Sequence, residues 1–220
     1  DAAAGIGQFA QDNSTGLAGA TGTVPAVGDY TKAGVTGVTT GNVAAINDVL
    51  ASKAVDGAAA DTPAEIQAIV DAYNKVLAAA DGTDGNAAAA PSAADYSAIG
   101  VAGTTDASAK LLSDMVDGLA ATAVDTVAEL QALADAAKAA VDYTGAAGQT
   151  APTAEQLNAI AGGAGVTADN LAAVQAAVAA ANADADGKPV TQAELQAIIK
   201  AISDAAAGIG QFAQDNSTGL

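Results

Sequence analysis

Apolar residues recur along this chain with the spacing of amphipathic helices. The clearest stripe follows Pro63 and places bulky apolar side chains three or four residues apart. This spacing lines one face of an α-helix and predicts that the face packs against a core. The stripe consists of Ile66, Ile69, Val70, Tyr73, Val76 and Leu77, and a later one consists of Leu195, Ile198, Ile199 and Ile202.

One string of residues opens the predicted long helix in three places. It has a threonine followed three residues later by a glutamate, and it spans 62–69, 126–133 and 191–198. Threonine and glutamate at this spacing form a capping box, in which each side chain accepts a backbone N–H of the first helical turn. Pro63 occupies the first helical position, where proline is favoured. The string therefore predicts three equivalent helix starts.

Two shorter helices precede each long helix in the predicted pattern. The first follows a proline, at Pro25, Pro91 and Pro152, and ends at a glycine-bearing turn. The second carries the apolar sets Val43, Ile46, Val49 and Leu50, then Leu112, Met115 and Val116, then Leu171, Val174 and Val178. Three amphipathic helices in about 60 residues can close into a small bundle. We therefore predict an all-α fold, and discount strands at 35–39 because the apolar runs there are short.

The two ends of the chain carry the same sequence. Residues 204–220 repeat residues 1–17 without a change, which sets a period of 203 residues. A repeat of this kind predicts a tandem architecture. We expect three three-helix modules in each 203-residue repeat, arranged as an extended array. The predicted divisions are a preceding linker at 1–19, modules at 20–84, 85–146 and 147–207, and the start of the next linker at 208–220.

The segment that joins successive copies is rich in glycine and polar residues. It runs from Gly208 to the equivalent of Val24 in the next copy, and its composition predicts a flexible hinge. It carries the only phenylalanine of each copy, Phe9 and Phe212. Two interpretations of Phe212 remain open. It either closes the end of the third bundle, or docks the next copy or a neighbouring chain.

Composition excludes several functional classes. The chain has 25 acidic and 7 basic residues, for a net charge of −18. Such a balance argues against binding nucleic acid or an anionic membrane surface, both of which need basic patches. No apolar run is long enough to cross a membrane, so we expect no membrane insertion. Cysteine and histidine are absent, which removes disulfides, thiolate ligands and the commonest general base.

One acidic loop has the features of a calcium site. Asn182, Asp184 and Asp186 alternate and precede a glycine, as in the first half of an EF-hand loop. Glu194 falls at the thirteenth position instead of the twelfth, and a proline interrupts the second half. The alternative is a solvated loop whose Glu194 belongs to the capping box. The sequence suggests no other cofactor.

The recurring strings resemble the GA-like three-helix modules of giant tandem-repeat bacterial surface proteins and biofilm adhesins. The resemblance is carried by the turn Gly34–Thr39, by Gly165–Val174, and by the Thr-x-Ala-Glu strings, and it covers residues 24–207 three times over. It implies a secreted protein at the bacterial cell surface. Some relatives bind albumin, but no matching contact motif is recognisable in this chain.

We therefore expect a non-enzymatic structural segment that extends a repetitive adhesin or extracellular matrix protein. Its expected partners are neighbouring repeats of the same chain. Two alternatives remain open. In one, identical chains assemble into a filament or surface layer. In the other, a module binds a host protein or glycan through its helix surface.

Overall fold

The computed structural model describes residues 2–83, 85, 90–184 and 190–216. This part of the chain is all-helical, as predicted, and contains no strand; two isolated bridges pair Thr15 with Ser52 and Asp81 with Ala120. The helices are α1 Ala2–Asp12, α2 Val27–Lys32, α3 Val43–Leu50, α4 Pro63–Ala79, α5 Ala93–Ala98, α6 Asp106–Asp117, α7 Val127–Asp142, α8 Ala154–Ala161, α9 Leu171–Asp184 and α10 Gln192–Asn216. Short 3₁₀ turns lie at Leu17–Gly19, Gly57–Ala59 and Ala121–Ala123.

The long helices begin where the capping strings predict. In α4 the hydroxyl of Thr62 accepts the N–H of Glu65, and the Glu65 carboxylate accepts the N–H and the hydroxyl of Thr62. The same exchange occurs at Thr126 with Glu129, and at Thr191 with Glu194. These bonds satisfy donors that the first helical turn leaves without partners.

A second contact recurs at the proline that precedes each short helix. The Pro25 carbonyl accepts the Asn47 side-chain amide at 2.8 Å, and the Pro91 carbonyl accepts the Ser113 hydroxyl at 2.7 Å. In the third segment the Gln175 amide donates to the Pro152 carbonyl at 2.8 Å. Three different side chains thus make the same link between the start of the segment and its second helix.

The chain divides into two compact units, Asp1–Ala134 and Asp135–Leu220, with the boundary inside α7. In the first unit, α1 packs against α2 and α3, and α4 contacts α3, α5 and α6. The Tyr73 hydroxyl of α4 donates to the Val124 carbonyl at 2.6 Å, and Lys75 forms an ion pair with Asp95. The largest of the fully buried side chains in this unit are Ile6, Tyr30, Ile46, Leu50, Ile66, Tyr73, Tyr96, Ile99, Leu111, Leu112 and Leu130.

The second unit is built around α10. This helix contacts α8 and α9, and its first half supplies the buried residues Leu195 and Ile199. They meet Leu157 and Ile160 of α8 and Val174 and Val178 of α9 in a core of aliphatic side chains. Leu157 occupies the position in the third segment that Tyr30 and Tyr96 occupy in the first two.

Candidate interaction site

Asn182 and Glu194 of the predicted calcium loop make hydrogen bonds at the ends of helices. The Asn182 amide donates to the carbonyls of Ala140 and Tyr143, both at 2.7 Å. Asp184 is exposed at the end of α9, and the Glu194 carboxylate accepts the N–H and the hydroxyl of Thr191. Asp186 lies outside the described residues. Within the described ranges, no group of three or more acidic side chains is placed to hold a metal ion.

The most distinctive site holds the first copy of the repeated segment. Its helix α1 packs against α2, α3 and the 3₁₀ turn Gly57–Ala59. The residues of α1 that turn inward are Ala3, Ile6, Gly7, Phe9 and Ala10, and each is buried. Ile6 is only 1% exposed and Phe9 only 5%. The segment therefore forms part of the core of the first unit.

Glycine lets α1 approach the backbone beneath it. A Cβ at Gly7 would lie 3.0 Å from both the Ala60 carbonyl oxygen and the Asp61 Cα. On the facing turn, a Cβ at Gly57 would lie 2.7 Å from the Gln11 Cβ and 2.9 Å from the Gly7 carbonyl oxygen. A side chain at Gly57 would force its neighbours to move, and one at Gly7 would require the facing backbone to shift by a few tenths of an ångström. Gly7 and Gly57 therefore set the close crossing between α1 and the turn.

Hydrogen bonds hold the residues that follow α1. The Asn13 side chain donates to the carbonyls of Phe9 and Thr21 and accepts the Thr21 N–H at 2.6 Å. The Gly16 N–H donates to the Ala51 carbonyl at 2.9 Å. Gly16 has φ of 82°, which a side chain would strain. The bonds close the C-terminal end of α1 and fix the chain that follows it.

Asp48 completes the site from α3. Its side chain is 8% exposed, and one carboxylate oxygen accepts the Leu17 N–H at 2.7 Å. The other oxygen accepts the Val127 N–H at 2.9 Å, at the start of α7. A buried carboxylate that accepts two backbone donors stabilises both segments. We refer to α2, α3, Asp48 and residues 57–61 together as the docking groove.

Residues 205–215 of the second copy have the helical conformation of α1 in a different environment. Residues 205–215 continue α10, and α10 ends at Asn216. Ile209, the equivalent of Ile6, is 71% exposed, and Phe212, the equivalent of Phe9, is 70% exposed. Apart from the backbone of α10 itself, no described atom lies within 4 Å of a Cβ built on Gly210, the equivalent of Gly7. The apolar face that is buried in α1 thus faces solvent in α10.

This result differs from the flexible hinge that the composition predicts. The segment is helical at residues 2–12 of the first copy and 205–215 of the second, because the run of alanines favours helix and the glycines are tolerated within it. The exposure of Phe212 also differs from that of a side chain closing the third bundle. The helical spacing of Ala3, Ile6 and Ala10 was the sequence feature that could have revealed the helix.

The arrangement is suited to binding a helix. None of the helices in the described ranges combines the length and apolarity needed to cross a membrane. Comparisons with protein-family models, curated proteins and solved structures find no match for this chain. The repeat and the docking groove are therefore the features of this chain that bear on its function.

Proposed function

We propose that this chain is a structural segment of a secreted, repetitive bacterial surface protein, either an adhesin or a component of an extracellular matrix or filament. The observation that carries this proposal is the unchanged recurrence of residues 1–17 at 204–220. The first copy is bound in a groove made by the residues that follow it. A segment that ends one repeat and fits the start of the next is suited to linking copies in series.

We further propose that each repeat contains three modules. The contacts made by Asn47, Ser113 and Gln175 with the preceding proline carbonyls support it, as do the capping boxes at Thr62, Thr126 and Thr191. Each module would present a short, a medium and a long helix. The 17-residue α4 spans about 25 Å, so modules placed in series would give the array its reach.

The charge of the chain suits an extended extracellular location. A net charge of −18 makes copies repel one another and keeps a long array soluble. At 0.1 M ionic strength, added cations would screen the repulsion between exposed charges that lie more than about 10 Å apart. The proposed role is mechanical, and no reaction is assigned to the acidic side chains.

Chains of one, two and four copies of the 203-residue repeat test this function. Small-angle scattering should give a maximum dimension that rises in proportion to copy number. Immobilised chains should recover no saturable partner from host serum or from purified glycans. A maximum dimension that rises only as the cube root of chain length would contradict the array, and a saturable partner would favour the binding-module alternative.

Assembly between separate chains is a second candidate, favoured by the exposed Ile209 and Phe212 of α10. In this case the end of α10 of one molecule would replace α1 in another. Sedimentation of the 220-residue chain over a range of concentrations, followed by electron microscopy, separates the candidates. Filaments that disappear in the Phe212→Asp variant would support assembly. A chain that stays monomeric at every concentration would contradict assembly between chains and would favour copies linked in series within one chain.

A further inference from the structure

We propose that the end of α10 docks into the docking groove of the following copy, so that one continuous helix crosses each copy boundary and fixes the orientation of the two copies. The inference rests on the proposed tandem function and concerns the joint alone. The interaction surface is the face of α10 formed by Ala206, Ile209, Gly210, Phe212 and Ala213. Its partner is the groove of a second copy of this repeat.

The occupant of the groove is known from the chain itself. Residues 204–220 are identical to residues 1–17, and residues 2–12 already lie in a docking groove as α1. In a chain of successive copies these two segments are the same residues, counted once from each side of the boundary. The exposed face of α10 therefore has the side chains that the groove is shaped to receive.

Gly210 supports the same conclusion independently of the apolar side chains. Glycine inside a helix costs about 1 kcal/mol relative to alanine. At Gly7 this cost has a structural reason, because a Cβ would meet the backbone of Ala60 and Asp61. At Gly210 the surroundings described leave ample space for a Cβ. Glycine is therefore needed at this position only when the segment is docked.

The helix is continuous where the two copies meet. Its first half is anchored in its own repeat through Leu195 and Ile199, and the repeated segment begins at Asp204 without a break in α10. With 25 residues, α10 is about 37 Å long. A helix held at one end by its own repeat and at the other by the next repeat would transmit orientation across the boundary.

A similar arrangement exists inside the first unit. The long helix α4 contacts α3, which precedes it, and also α5 and α6, which follow. Its Tyr73 hydroxyl reaches the Val124 carbonyl, 51 residues further along the chain. A helix that packs on the helices both before and after it is therefore already used within this protein. We infer the same use at the boundary between copies.

The test uses a two-copy chain, residues 1–203 followed by residues 1–220. The natural chain has no cysteine, so Lys200→Cys in the first copy and Lys32→Cys in the second provide two unique spin-label sites on exposed side chains. Pulsed electron resonance then measures the distribution of distances between the labels. The proposal predicts one narrow distribution.

Ala207→Pro at the boundary is the matched control. This position, which is also Ala4 of the second copy, is exposed in both environments, so the change removes no docking contact. Proline in the interior of α10 breaks the helix, whereas the first turn of α1 tolerates it. The variant should broaden the distribution severalfold. A second variant, Phe212→Asp at the boundary, which is also Phe9 of the second copy, should broaden the distribution by removing the docked side chain.

A wild-type distribution as broad as that of the proline variant would overturn the continuous helix. This outcome is distinguishable from failure of the proposed function, because hinged copies would still lengthen roughly as the square root of their number, which is more than the cube root expected of one globule. A narrow distribution that Phe212→Asp leaves unchanged would also overturn the proposal, since the joint would then not depend on docking.

Discussion

The two copies of the repeated segment show what sequence alone decides and what a neighbour decides. The same residues form a helix at Ala2–Asp12 and within α10, so helix formation does not require the groove. Burial of the apolar face does require the groove, because Phe9 is 5% exposed whereas Phe212 is 70% exposed. The apolar face and the glycines of the segment therefore serve an interface that only one of the two copies makes within this chain.

The largest expected effect comes from the paired phenylalanines. Phe9→Ala should destabilise the first unit by about 3 kcal/mol, because it leaves a cavity beneath α1. Phe212→Ala, the same change in the exposed copy, should alter stability by less than about 0.5 kcal/mol. Urea unfolding followed by far-ultraviolet circular dichroism measures both. Equal effects would show that the two copies share one environment.

The paired glycines should respond with opposite signs. Gly7→Ala places a methyl group against the backbone of Ala60 and Asp61, and should cost about 1–2 kcal/mol of stability. Gly210→Ala lies in an exposed helix interior and should stabilise α10 by up to about 1 kcal/mol. The midpoints of thermal unfolding would reveal the two directions. Stabilisation by both substitutions would remove the evidence for a close crossing at Gly7.

Asp48 contributes to stability from the groove that holds α1. Asp48→Asn removes one of two acceptors and should cost about 1–2 kcal/mol, because a backbone N–H of Leu17 or Val127 loses its partner. Asp114 occupies the equivalent place in α6 and is more exposed, beside Lys110 at 3.8 Å. Asp114→Asn should change stability by less than about 0.5 kcal/mol. A similar loss in both variants would indicate a general effect of charge.

The smallest effect is a pH dependence of the helix α2. The Ala26 N–H and the Lys32 ammonium hold the pKa of Asp29 below its ordinary value, in the helix α2 that lines the groove. A lowered pKa gives stability that is present above about pH 4 and lost as the pH falls through the folded-state pKa. The difference in urea midpoint between wild type and Asp29→Asn should therefore shrink below about pH 4. A difference that stays constant down to pH 3 would contradict this assignment.

Local rules predicted the helices and their starts. Thr62 and Glu65 form the expected capping box, and Ile66, Ile69, Val70, Tyr73 and Val76 of the predicted stripe are all buried. These features depend on residues three or four positions apart, so a sequence is enough to find them. The three-module arrangement remains a prediction, since contacts divide the chain into two units.

Contacts between residues far apart in the chain could not be predicted from the sequence. The glycines at 5 and 7 suggested a hinge, because nothing local shows that Gly7 lies against the backbone of Ala60. The role of Asp48 also depends on donors 31 and 79 residues away. The calcium prediction stays untested: Asn182 and Glu194 make helix contacts, and Asp186 lies outside the described residues.

Thiol labelling measures whether the repeated segment is docked in the groove or exposed to solvent. Ala10→Cys and Ala213→Cys each add a single sulfur at equivalent positions, the first 1% exposed and the second exposed. In the 220-residue chain, the first thiol should react at least about 100-fold more slowly, because it requires local opening of α1. In the two-copy chain, the thiol at the boundary should be protected like Ala10→Cys. Equal rates in the 220-residue chain, or a boundary thiol that reacts as fast as Ala213→Cys, would contradict the account.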